Sequence, residues 1–146
     1  MQRSPCLQAN FNASAATFLL LETLVRYSAI HSVIRTLTRV SRSFTVVIAV
    51  GKEGVKFSVS GELGSGNMTL RQYDLTDTRE GDKVTIEMQA PIAQSFALRY
   101  LNLFARATPL SETVWFKLSN DVPLVVEYPI GIAGHIRFYL APKMEE

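Results

Sequence analysis

A single cysteine, Cys6, stands in the 146 residues. One thiol excludes an internal disulfide framework and a thiolate metal cluster, and it points to a reducing compartment. Histidine is nearly as scarce. His31 and His135 are the only two, and neither stands in an HExxH or HxH arrangement, so the sequence offers no metalloprotease-type ligand pair. Glycine supplies no P-loop and no GxGxxG, and "GELGSGN" runs into a strand pattern where a phosphate cradle would need a helix. The apolar run Phe18–Leu21 is stopped at once by Glu22, far short of a membrane span. Only Arg3 supplies charge ahead of that weak run, so a targeting peptide is the weaker reading of the first residues. No catalytic group, cofactor or metal is expected from these residues, and the protein reads as a non-enzyme.

The most informative lack is of acid. No Asp or Glu falls within 23–52 or within 88–111, although the chain has 13 acidic residues. The first stretch holds Arg26, Arg35, Arg39, Arg42 and Lys52, and the second holds Arg99 and Arg106. Elsewhere acids outnumber bases. A formal charge of +2 thus hides two basic segments on an acidic body, a distribution that points to a polyanionic partner.

What is present is ordinary for a globular protein: 47% hydrophobic and 19% charged residues, enough chain for one domain with a real core. Ile30, Val33, Ile34, Leu37 and Val40 follow helical spacing and predict a helix over 28–41, with Arg35, Arg39 and Arg42 among the residues on its polar side. Within "QSFALRYLNLFARATPLS", 94–111, Ser95, Arg99, Asn102 and Arg106 fall on one helical stripe. A merely solvated helix face usually mixes acids with bases. Two acid-free faces favour phosphate contact, and with no aromatic interleaved on them the contact should not read bases.

Between and after these helices the period becomes two. "FTVVIAV" and "VKFSVSG" flank "GKEG" as a β-hairpin, "NMTLRQ" and "KVTIEM" continue it, and "TVWFKLS", "PLVVEYPI" and "HIRFYLAP" follow the second helix. The fold class expected is α+β, antiparallel sheets with two helices packed on one side. Residues 1–27 read as a leader and 28–146 as the domain.

"VGKEGVKFSVSGELGSGNMTLRQ", "VTIEM", "FALRYLNLFARATPLS", "DVPLVVEY" and "HIRFYLAPKMEE" closely resemble the C-terminal domain of proliferating cell nuclear antigen, the eukaryotic sliding clamp. The likeness is strong from Phe44 to Glu146, weaker from Ser32, and absent over 1–27. It implies a nuclear DNA-clamp domain, a processivity factor of replication and repair that closes into a ring around duplex DNA and tethers polymerases and repair enzymes. It places Arg35, Arg39, Arg42, Arg99, Asn102 and Arg106 toward DNA. It makes Ala97, Val122, Pro123, Tyr139, Leu140, Ala141 and Pro142 a pocket for clamp-interacting peptides that carry a glutamine and apolar anchors. Leu63, Gly66, Asn67, Met68 and Leu70 match a subunit boundary, and Lys52 matches the family's ubiquitin and SUMO acceptor. The family's first domain and its linker have no counterpart in the 146 residues, so the sequence reads as half a clamp subunit. Self-association is possible on this reading, but the family trimer is not expected from this half chain. Two other readings fit the same residues: an adaptor that captures clamp-interacting peptides without encircling DNA, and a fragment without function.

Overall fold

The computed structural model describes residues 21–40, 44–71, 85–87, 90–120 and 122–144. Nine strands form two antiparallel sheets. The first contains β1 (Leu21–Arg26), β5 (Thr85–Glu87), β7 (Thr113–Leu118), β8 (Leu124–Ile130) and β9 (Gly134–Leu140), in the order β5-β1-β7-β8-β9. The second contains β2 (Thr45–Gly51), β3 (Gly54–Gly61), β4 (Gly64–Leu70) and β6 (Ile92–Ala97), in the order β4-β3-β2-β6. Helix α1 spans Tyr27–Val40 and α2 spans Leu98–Phe104, continued by a 3-10 segment, Ala105–Leu110.

Alternation along the strands builds the core. Val46, Ile48 and Val50 of β2 are buried, as are Val55, Phe57 and Val59 of β3, while Val47 and Lys56 between them face solvent. Val114, Phe116 and Leu118 of β7 and Leu124, Val126 and Tyr128 of β8 do the same for the other sheet. The two inner faces meet edge-on where Phe57 and Phe116 lie 6.3 Å apart at 83°. Each such side chain removed from water contributes about 1.5–3 kcal/mol. Helix α1 adds Val33, Ile34 and Leu37 to the same core, the apolar stripe that its spacing predicts. Burial pushes the Tyr128 phenol above its ordinary range, partly offset by a hydrogen bond with the Thr108 side chain.

Two tight turns follow from sequence. Gly51 pairs with Gly54 across Lys52–Glu53, as the "GKEG" pattern predicts, and Gly61 pairs with Gly64 across Glu62–Leu63. Gly54 has φ 142°, a backbone conformation that side chains rarely adopt.

The structure departs from the periodicity in three places. A strand, β1, precedes α1 and lies between β5 and β7, within the segment 1–27 where patterning suggested none. The strand pattern around "KVTIEM" enters the five-stranded sheet rather than continuing from β4. Ser95 is not helical: it lies on β6 opposite Val47. The ladder offered by the open side of β2 satisfies backbone groups over Ile92–Ala97, and that long-range pairing overrides helical spacing. The helix starts only at Leu98, whose N–H bonds the Phe44 carbonyl at 3.0 Å. It tightens to 3-10 before Pro109, which carries no N–H for a continuing α-helix.

Candidate nucleic-acid interface and peptide pocket

Helix α1 packs against both α2 and the 3-10 segment, so the elements that carry the basic residues of two distant sequence stretches are in mutual contact. Leu98, Leu101 and Ala105 point inward and are buried, while Arg99, Asn102 and Arg106 are exposed. On α1, Arg35 and Arg39 are exposed beside buried Ile34 and Leu37. Neither helix nor the 3-10 segment contains an acidic residue. Among the described residues no ion pair or hydrogen bond engages Arg35, Arg39 or Arg106, and Arg99 bonds only Tyr100. Arg42 lies outside the described residues. Among the described residues four exposed cations on mutually packed helices thus have no acidic partner, an arrangement suited to phosphates.

The second cluster lies where the two sheets are joined. After β9 the chain leaves one sheet and reaches the edge of the other: the Lys143 N–H bonds the Ser95 carbonyl at 2.7 Å, and its Nζ bonds the Thr45 hydroxyl at 2.5 Å. This bond ties the segment after β9 to β6, two residues before that strand ends at Ala97. Leu124 is the register partner of Leu140, so the residues just before β8, Val122 and Pro123, lie alongside those just after β9. Val122, Pro123, Ala97 and Pro142 are half-buried, Leu140 is buried, and Tyr139 and Ala141 are exposed. The register and the Lys143 bonds set the ends of β8 and β9 along a seam with β6, where Leu140 turns into the core while Tyr139 and Ala141 stay exposed. The structural cue that sequence reasoning lacked is Lys143, whose two bonds hold the seam together.

The remaining residues separate from both clusters. Lys52 is exposed at the tip of the β2–β3 turn. Strand β4 is the edge of the four-stranded sheet. On and beside it Leu63 and Asn67 are exposed, whereas Gly66, Met68 and Leu70 are half-buried. Strand β9, like β4, is seven residues long and forms an edge of the other sheet. Among the described residues no group of three or more His, Cys, Asp and Glu is placed to hold a metal ion, and no helix is long and apolar enough to cross a membrane.

Two antiparallel sheets backed by a pair of helices define a DNA-clamp-type α+β domain. Residues 22–143 match the family model described as proliferating cell nuclear antigen, C-terminal domain, and the chain belongs to that family. The match begins inside β1 and ends at Lys143, the residue that ties the two sheets.

Proposed function

We propose that this domain associates with duplex DNA without reading its sequence, through Arg35, Arg39, Arg99 and Arg106, and serves there as a platform for replication and repair proteins. The observation that carries this reading is the gathering of exposed, acid-free arginines on packed helices of a sliding-clamp-type domain. Phosphate attraction of this kind positions a protein on DNA and carries no sequence information, which suits a protein that must move along its template. Nuclear localisation belongs to the same proposal, and no catalytic step is assigned.

Fluorescence anisotropy with duplexes of unrelated sequence tests it. If about three arginines meet phosphates at once, log K falls with log salt at a slope near −2.7, equally for every duplex. Sequence preference, or affinity indifferent to salt, would contradict the proposal.

A second reading concerns docking, and the Lys143–Ser95 bond favours it because it ties the segment after β9 to the end of β6 that carries Ala97. We propose that the seam formed by Val122, Pro123 and Tyr139 to Pro142 captures peptides with a glutamine and apolar anchors, using backbone carbonyls for the former. In an NMR titration with such a peptide, the amide shifts should cluster at Ala97, Val122 and Tyr139–Lys143 and spare Lys52. Shifts spread over the helices instead would place the binding elsewhere.

A further inference from the structure

Arg99 differs from the other arginines of the basic face. Its guanidinium lies over the Tyr100 ring, 4.6 Å from Cζ to the centroid, and one of its terminal N–H groups donates to the Tyr100 hydroxyl at 2.9 Å. Adjacent side chains on a helix do not normally face each other, so the pairing is not a by-product of helical spacing. It exists because Tyr100 is half-buried and packed against the hydrophobic core, which fixes the ring while its hydroxyl reaches the surface. The ring is anchored in the core, and the cation rests on it.

We infer that Tyr100 is a positioning residue that holds the Arg99 guanidinium ready for a phosphate of duplex DNA. The inference rests on the duplex reading above. A guanidinium has five N–H donors; the Tyr100 hydroxyl takes one, and the others stay available to an anion. An unrestrained arginine must surrender its rotamer freedom when it meets a phosphate, whereas a stacked one has surrendered much of it on folding. Among the described residues Arg35, Arg39 and Arg106 have no such partner. The basic face therefore combines one pre-ordered contact, which sets where the duplex sits, with three cations that no such stacking holds among the described residues.

The test compares Tyr100→Phe, Tyr100→Leu, Arg99→Ala and the Arg99→Ala/Tyr100→Leu double variant, in the full chain, against a short duplex of mixed sequence over a salt series. Tyr100→Leu keeps the apolar anchor and loses both stacking and hydroxyl. It should weaken binding about two- to fivefold with the salt slope unchanged, because the cation is still present. Arg99→Ala should lower the slope by about 0.9, and adding Tyr100→Leu to it should cost nothing more. Tyr100→Phe keeps the stacking and should fall between wild type and Tyr100→Leu. Without DNA, nitrogen relaxation should show the Arg99 side-chain Nε ordered in wild type and mobile in Tyr100→Leu. Additive losses in the double variant, tighter binding by Tyr100→Leu, or a mobile Arg99 Nε in wild type would each overturn the inference while leaving duplex binding intact. No duplex affinity in the wild type would remove the reading of the basic face and this inference together.

Discussion

Gly54→Ala is expected to destabilise the domain by on the order of 3 kcal/mol. Two costs act at the same atom. With φ at 142° the residue occupies backbone space that a side chain rarely enters, and such positions cost about 1–3 kcal/mol when filled by anything but glycine. A Cβ there would also overlap the Leu70 carbonyl oxygen, with the Leu70 carbonyl carbon at 2.9 Å and the Arg71 Cα at 3.0 Å. These are backbone atoms, so relief requires β4 to shift away from the β2–β3 turn. A domain of this size has only about 5–15 kcal/mol to lose. Gly51, across the same turn, is the control: nothing lies within 4 Å of an added Cβ, and its φ is unremarkable. Urea denaturation of both alanine variants decides the matter. A Gly54→Ala midpoint no lower than that of Gly51→Ala would show that β4 yields without cost.

The second large effect is on salt dependence. With Arg99 and Arg106 both replaced by alanine, two of about three phosphate contacts disappear, and the slope of log K against log salt should fall from about −2.7 to about −0.9. Over a fourfold rise in salt the wild type would lose roughly fortyfold in affinity and the double variant only about three- to fourfold. The melting temperature should barely move. Both side chains are exposed, and neither forms an ion pair among the described residues; surface changes of that kind usually stay within about 0.5 kcal/mol. An unchanged slope would mean that these arginines do not face the phosphates. A melting point that drops with the affinity would mean that the variant reports on folding instead.

The sequence was most legible where local chemistry decides the structure. The turn at Lys52–Glu53, the alternation of β2 and β3 and the apolar stripe of α1 all depend on neighbours a few residues apart, and periodicity exposes them. It was least legible where a distant strand decides. Ser95 shares a helical stripe with Arg99, Asn102 and Arg106, yet β2, almost fifty residues earlier in the chain, recruits residues 94–97 into a sheet. Strand β1 is a similar case: its place between β5 and β7 is set by partners that follow it by sixty residues or more. The basic face was visible as an absence of acid, but its geometry needed α1 packed on α2. Nothing in the pattern could reveal that Arg99 rests on Tyr100, because adjacent helix positions ordinarily diverge. The residues proposed for peptide capture came from family resemblance, and the tie from Lys143 to Ser95 and Thr45 joins positions too far apart in sequence for any local pattern to show.

The interleaving of the two sheets along the chain also sets an order on biosynthesis. All four strands of the β4-β3-β2-β6 sheet lie between residues 45 and 97, so the ribosome completes that sheet's sequence as one block. The other sheet draws on residues 21 to 140, and its first strand is made long before β7 and β8. At about 5–20 residues per second, the stretch from Leu98 to Leu140 takes roughly 2 to 9 s to synthesise. At the start of that interval the nascent chain has one complete sheet sequence and only β1 and β5 of the other. The inner face of β2 and β3, including Phe57, must wait for Phe116 to emerge before its core partner exists.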